Sequence, residues 1–406
     1  MTSQASACRS GLCRLSVRIM KIPFNGMEKM LVERKDLKNA KRIVVKVGSS
    51  TITHANGKCD FARIDKLARE LADWQNQGKE MILVTSGAVA VGVDRLGLPE
   101  KPKTIPGKQA AAAVGQGILM HTYEKIFAEY GQVVAQVLLT RMETIDRHRY
   151  TNARNTFMEL LRQRVIPIVN ENDVVALDEL KIGDNDNMSA LVASIVDADL
   201  VIILSDVDGL YTANPQTHPD AKLVSRVEEI TAEIEASAGG AGSSVGTGGM
   251  FTKIQAAKNA TTSGINLVIA SGSEKDAISR ILEGEEVGTL FVSKENRLQF
   301  RKRWLAFGAR IMGSVTVDEG CEKAIKKAGG CSILPVGIVG VKGDFEAGNT
   351  VSVLTKEGRE IARGLCHYSS EELKKIIGCQ SCEIEEKVGH KAFDEVIHRD
   401  DLVILN

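Results

Sequence analysis

No run of about 18 apolar residues occurs anywhere in this 406-residue chain, so the sequence offers no membrane-spanning segment. Charge of neither sign is in excess, since 52 Lys and Arg offset 52 Asp and Glu. That balance removes the overall field that would draw the molecule to nucleic acid or to an anionic membrane, and it leaves any anion site to local groups. The eight cysteines, at 8, 13, 59, 321, 331, 366, 379 and 382, lack a disulfide-framework spacing. They point to reduced thiols and a cytoplasmic setting. Cys379 and Cys382 form a lone C-x-x-C pair. A zinc site there would need two more ligands, with Cys366 and His390 nearby in sequence, and free thiols are the expectation. Both standard phosphate fingerprints also fail. The glycine-rich stretch from Gly246 to Lys253 has its lysine at the wrong spacing for a Walker A loop, and Phe251 stands where a dinucleotide loop needs its third glycine.

What is present is a chain with 43% hydrophobic and 26% charged residues, long enough for two or three domains. Short β-branched runs at 42–47, 80–85, 133–139, 165–169, 200–204 and 266–270 alternate with helical patterns at 64–77, 108–130, 156–164, 189–196 and 253–263. Most of the strands are apolar throughout, as strands buried on both faces should be. The expectation is one α/β domain over 41–296, with a mainly parallel sheet covered by helices on both faces. A basic stretch of Arg297, Arg301, Lys302 and Arg303 marks a linker over 297–312. Beyond it, short strands punctuated by glycine at 313–317, 338–341, 350–354 and 360–365, then a helix at 370–377, read as a small β-rich domain over 313–392. Residues 393–406 are expected as a tail. Residues 1–40, with Arg9, Arg14, Arg18 and Lys21 in a stretch free of acids up to residue 26, are expected as a poorly ordered extension in preference to a transit peptide.

In parallel α/β sheets ligands sit outside the carboxyl ends of the strands, and this chain places polar or glycine-rich residues there repeatedly. Lys46, Gly48 and two serines follow the first strand, and Thr85, Ser86 and Gly87 follow the second. Asn170-Glu171-Asn172-Asp173 follows 165–169, with Gly183-Asp184-Asn185-Asp186-Asn187 shortly after. Ser205 and Asp206 end the 200–204 strand. Asn and Asp disfavour strand and helix interiors, and capping a helix at Ser189 would need one such residue, not four. A calcium loop is excluded because Ser189 takes the position where an EF-hand needs glycine. The glycines before Lys253 open a helix, where backbone N–H groups and the helix dipole favour an anion. Lys46 and Lys253 both project from ligand-side ends and could meet over one phosphate chain, offsetting charge on a transferring phosphoryl group.

Taken together and in this order, these motifs resemble those of the amino acid kinase family, over residues 42–401. The segment from Gly313 to Gly389, with Thr316-Val317-Asp318-Glu319-Gly320 and Gly343-x-Phe345, resembles a PUA domain. The resemblance implies an αβα sandwich followed by a small PUA-like domain. It also implies ATP-dependent phosphorylation of the γ-carboxylate of L-glutamate to L-glutamyl 5-phosphate, the first step of proline biosynthesis from glutamate, with Mg²⁺ as cofactor. Carried over by position, Lys46, Lys253 and Asp186 are the catalytic candidates, Asp186 orienting the lysines. Ser86, Gly87, Asn170, Asp173, Asp184 and Asn185 fall at amino-acid-binding positions. Lys46, Gly48, Ser205, Asp206, Thr247, Gly248, Gly249, Met250, Phe251, Thr252 and Lys253 fall at ATP-binding positions, with no separate metal-ligand set. The family further implies a homo-oligomer, proline as a feedback inhibitor and glutamyl phosphate reductase as a functional partner.

A mixture of Asp, Asn and Ser suits a substrate with one ammonium and two carboxylates. A γ-carboxylate with a pKa of about 4.3 is already ionised at neutral pH, so the lack of a candidate catalytic histidine is expected. Kinases of this fold also act on N-acetylglutamate, aspartate, carbamate or nucleoside monophosphates, and the paired polar clusters with the PUA-like segment favour glutamate. An RNA-binding protein built around the PUA-like segment is disfavoured by balanced charge beyond Arg303. Intact Lys46, Asp186 and Lys253 argue against a binding module that has lost catalysis.

Overall fold

The structure, a computed structural model, describes residues 33–54, 56–140, 146–176, 185–213, 215, 217–238, 249–293, 311–327, 331–391 and 393–405. Asp184, Thr247 and Gly248, residues 1–32 and nearly all of the 297–312 linker lie outside the described residues.

Strands β1 (Arg42–Val47), β2 (Glu80–Val84), β3 (Val134–Leu139), β4 (Ile166–Glu171), β5 (Leu200–Ser205), β6 (Arg226–Val227), β7 (Asn266–Ser271) and β8 (Thr289–Phe291) form an eight-stranded sheet in the order β3-β4-β2-β1-β5-β7-β8-β6. Every pairing is parallel except β7 with β8. Successive side chains of a strand point to opposite faces, and here both faces are buried. Ile43, Val45 and Val47 of β1 join one core with Met81 and Leu83 of β2 and Leu200 and Ile202 of β5, against helices Phe61–Asn76, Ile105–Glu129 and Ala277–Glu283. Val44, Ile82, Val84, Val201 and Ile203 join the opposite core, against helices Arg147–Arg162, Asn185–Val196 and Met250–Thr262. This is the expected αβα sandwich. The chain builds the sheet outward from β1 through β2 to β4 and β3, then returns to lay β5 on the other side of β1. That reversal places a crevice at the carboxyl ends of β1 and β5.

Three expected boundaries shift in ways that matter for the site. Strand β4 runs two residues past 169 because Asn170 and Glu171 still pair with Leu138 and Leu139 of β3. The helix expected from 189 already begins at Asn185, which draws Asn185 and Asp186 into its first turn, where acids favour the helix dipole. The helix expected at 156–164 starts at Arg147. Short β6 and β8 and the helix Ala88–Arg95 carry too little periodic signal to be read from sequence. The described end of the 1–40 extension is packed: Leu37 is buried in a 3₁₀ turn, and the Arg34 guanidinium donates to the carbonyls of Ser225, Val287 and Gly288 at 2.8, 2.8 and 2.6 Å.

The small domain is a five-stranded sheet, β10 (Ile338–Gly343), β9 (Ile311–Val317), β11 (Thr350–Leu354), β12 (Glu360–Leu365) and β13 (Leu402–Ile404) in that spatial order. Helix Ser370–Ile376 starts at a capping box between Ser369 and Glu372. The segment after 392, expected as a tail, supplies β13, which pairs antiparallel with β12, and Ile397, which bridges Ile333. Among the described residues no helix is long and apolar enough to cross a membrane.

Helices Ala88–Arg95 and Ile105–Glu129 meet backbone to backbone. A Cβ on Gly115 would lie 1.8 Å from the Ala88 carbonyl oxygen, and one on Gly92 would lie 1.8 Å from that of Ala111. Gly115→Ala must therefore part the two helices, and thermal unfolding should show a loss of about 1–3 kcal/mol. Wild-type stability in that variant would refute the close contact.

Candidate active site

The carboxyl end of β1 places Lys46 beside the crevice, and its side chain stays almost wholly buried. Its partner is Asp186, fully buried in the first turn of helix Asn185–Val196. Lys46 Nζ lies 2.5 Å from Asp186 Oδ1, off the directions of a proper hydrogen bond, so the contact is an ion pair. Lys253, buried in the first turn of helix Met250–Thr262, donates to Asp186 Oδ2 at 3.2 Å, and the Thr252 hydroxyl donates to the same oxygen at 3.0 Å. Two buried ammonium groups therefore share one carboxylate. Two ammonium groups gathered at one buried carboxylate concentrate positive charge at the crevice, the arrangement that attracts an anion.

Burial alone would push the Asp186 pKa up. The Lys46 and Lys253 charges and the Thr252 hydroxyl outweigh it, and the carboxyl titrates below the usual range.

Around this cluster the glycines leave room. A Cβ on Gly48 would meet nothing nearer than Lys46 Nζ and Ser50 Oγ, both at 3.8 Å, and one on Gly249 would meet nothing within 4 Å. Gly249 caps the Met250–Thr262 helix with its backbone, its carbonyl accepting from the Thr252 N–H at 3.1 Å, and the helix N-terminus with its favourable dipole stands beside Lys253. Met250 is half-buried and Phe251 exposed. At the end of β5, Ser205 donates its hydroxyl to Asp206 Oδ1 at 2.8 Å, and Asp206 is exposed. Lys46, Gly48, Ser205, Asp206, Gly249 and Lys253 thus lie on the β1, β5 and β7 side of the crevice.

The amide-rich residues collect on the other side, at the ends of β2 and β4. Asn185 Nδ2 donates to the Thr85 carbonyl at 2.6 Å, to Ser86 Oγ at 2.8 Å and to Asn170 Oδ1 at 2.9 Å. Asn170 Oδ1 also accepts from the Glu171 N–H at 2.9 Å, while its Nδ2 donates to Gln116 Oε1 at 2.8 Å. Gly87, with φ of 100°, turns the chain from Ser86 into helix Ala88–Arg95, a conformation that favours glycine. Asp173 sits half-buried in the turn that follows β4. The sequence motifs did not reveal Gln116 or the Thr85 carbonyl. Backbone atoms leave no composition signal, and Gln116 is one polar residue on an alanine-rich helix. Among the described residues no group of three or more His, Cys, Asp and Glu could hold a metal ion.

Asp186→Asn would leave Lys46 and Lys253 facing each other across a neutral amide. Urea unfolding at neutral pH should show a loss of about 3–5 kcal/mol, as when one partner of a buried ion cluster is removed. A carboxyl with a depressed folded pKa stabilises the fold above its unfolded value, about 3.9, and that contribution fades as pH falls through the folded value. The wild-type chain should therefore lose part of its stability below about pH 4, and the Asn variant should lack that component. Equal stability of the two proteins at neutral pH would contradict the shared-carboxylate arrangement.

The chain is similar to known proteins along both domains. The profile of the amino acid kinase family matches residues 41–271, and that of the PUA domain matches residues 313–388. A glutamate 5-kinase of Moorella thermoacetica is 54% identical over 369 residues, covering 91% of this chain and 97% of the relative. One of Carboxydothermus hydrogenoformans is 52% identical, covering 92% and 100%, and one of Myxococcus xanthus is 46% identical, covering 93% and 100%. With a family profile over more than half its length and relatives of this identity matched almost end to end, the chain belongs to the amino acid kinase family.

Proposed function

We propose that the chain transfers the γ-phosphoryl group of ATP to the γ-carboxylate of L-glutamate, giving L-glutamyl 5-phosphate for proline biosynthesis. The observation that carries this reading is the Lys46–Asp186–Lys253 cluster, two buried ammonium groups on one carboxylate, set between a glycine-lined side and an amide-lined side. The relatives named glutamate 5-kinase support the choice of acceptor.

The division of labour follows the sheet. Backbone N–H groups at Gly48 and Gly249 to Lys253 would cradle the ATP phosphates, joined by Thr247 and Gly248, with Ser205 and Asp206 facing the nucleotide. Ser86, Gly87, Asn170, Asp173, Asp184 and Asn185 would hold glutamate, the acids meeting its ammonium and the N–H and O–H donors its carboxylates. Both reacting groups are anions, so their mutual repulsion is the main obstacle to in-line attack. Lys46 and Lys253 reduce it from opposite sides of one carboxylate. Asp186 holds the two ammonium groups at fixed positions that need no rearrangement as charge shifts toward the leaving oxygen. Because the γ-carboxylate is already ionised, no residue has to take a proton from it.

Mg²⁺ fits this donor set in a limited way. Asp186 is committed to two lysines, Asp206 at the end of β5 is exposed, and Mg²⁺ is commonly held by one or two carboxylates together with substrate phosphates. Bound there, it would supply charge neutralisation on the phosphate oxygens. A homo-oligomer accords with edge strand β3, beside which Val133 is 65% exposed and within which Leu138 is 36% exposed. The product is a labile acyl phosphate, which suits rapid transfer to glutamyl phosphate reductase, and feedback inhibition by proline fits a first committed step.

Capture of the acyl phosphate with hydroxylamine, in the presence of ATP and Mg²⁺, tests the reading directly. L-Glutamate should give the hydroxamate, and a preference for N-acetylglutamate or aspartate would overturn the acceptor assignment. Lys46→Ala and Lys253→Ala should each lower kcat about a hundredfold or more while changing the KM for glutamate little. Unchanged turnover in either variant would sink the proposed role of the cluster.

A further inference from the structure

The amide chain between Ser86 and Gln116 has its direction fixed by chemistry. The Thr85 carbonyl can only accept, so the group facing it must be the Asn185 NH₂. That NH₂ and the Glu171 N–H both donate to Asn170 Oδ1, which turns the Asn170 NH₂ toward Gln116 and makes Gln116 Oε1 its acceptor. Each orientation dictates the next. The chain ends on the Gln116 NH₂, a buried donor with no acceptor among the described residues. An unpaired buried donor is costly, and such a group calls for a specific explanation.

Sheet geometry says what stands near it. Neighbouring strands lie about 4.8 Å apart, so the end of β4, two strands from β1, is about 10 Å across the sheet from Lys46. An extended glutamate spans about 5 Å between its carboxyl carbons, and its two ends add the reach of the carboxylate oxygens and their hydrogen bonds. With the γ-carboxylate at the lysine cluster, the α-carboxylate comes to the β4 end, beside Asn170 and Gln116. Building on the proposed glutamate reading, we infer that Gln116 is a specificity-determining residue. Its Oε1 locks the Asn170 amide, and its spare N–H is the donor that takes up an oxygen of the substrate α-carboxylate.

Gln116→Glu separates this role from a merely structural one. The carboxylate still accepts from Asn170, so the amide chain survives, but it replaces a donor with a negative charge facing another carboxylate. Steady-state kinetics of acyl phosphate formation should show the KM for L-glutamate raised about tenfold or more, with the KM for ATP within about twofold of wild type. Gln116→Leu, which removes both functions, should also raise the glutamate KM. Calorimetric titration of L-glutamate into each variant, alongside its thermal unfolding, gives a second readout that does not depend on turnover. 4-Aminobutyrate, which keeps the γ-carboxylate and lacks the α-carboxylate, should bind Gln116→Glu and wild type alike. A wild-type KM in Gln116→Glu, an equal loss for glutamate and 4-aminobutyrate, or a matching rise in the KM for ATP would overturn the inference. Failure of the wild-type chain to make the acyl phosphate from glutamate would instead overturn the underlying reading, and it would be evident before any variant is compared.

Discussion

One carboxylate shared by two buried ammonium groups is the constraint around which this active-site region is arranged. Lys46 comes from the central strand, Asp186 from the start of one helix and Lys253 from the start of another, and all three are at least nine-tenths buried. Taking such charges out of water costs several kcal/mol per ion, and their mutual attraction offsets this only when the geometry is held closely. The fold supplies that rigidity. β1 is paired on both sides, and both helices pack into the same apolar core through Met188, Val192, Ile254 and Ala257. A core that fixes two helix starts against one strand end also fixes three charges.

The same topology sorts the polar groups around the cluster. Because the chain reverses direction across the sheet at β1 and β5, the glycine-lined and amide-lined groups fall on opposite sides of the lysine cluster. In the proposed reading, two anions would approach the lysine cluster from two directions without sharing a subsite. The amide side fixes the orientations of Asn185, Asn170 and Gln116 in turn and leaves the Gln116 NH₂ without an acceptor among the described residues, so orientation there counts as much as residue type.

Much of this was legible in the sequence, for reasons that can be stated residue by residue. Strands such as Arg42–Val47 and Leu200–Ser205 are apolar throughout because both of their faces are buried, and that pattern reads directly as a parallel sheet. Lys46, Asn170, Asp186 and Lys253 stood out because polar residues directly after buried strands, or opening a helix after glycines, have no packing purpose. What was not legible depended on tertiary context. Helix Asn185–Val196 begins earlier than its apolar period suggests, since its first turn is held by Lys46, Lys253 and Thr85 from elsewhere in the chain. β13 was hidden at the end of the chain because a three-residue strand shows no period until β12 pairs with it. Gln116 is tied to the site through an amide 54 residues away.

The central claim is that Lys46 and Lys253 act as one unit through Asp186. A double-mutant cycle on turnover, comparing Lys46→Met, Lys253→Met and the double variant, tests it most directly. The account predicts strong non-additivity, with the double variant losing little more kcat than the worse single one. Losses that multiply, so that the two lysines contribute independently, would contradict it.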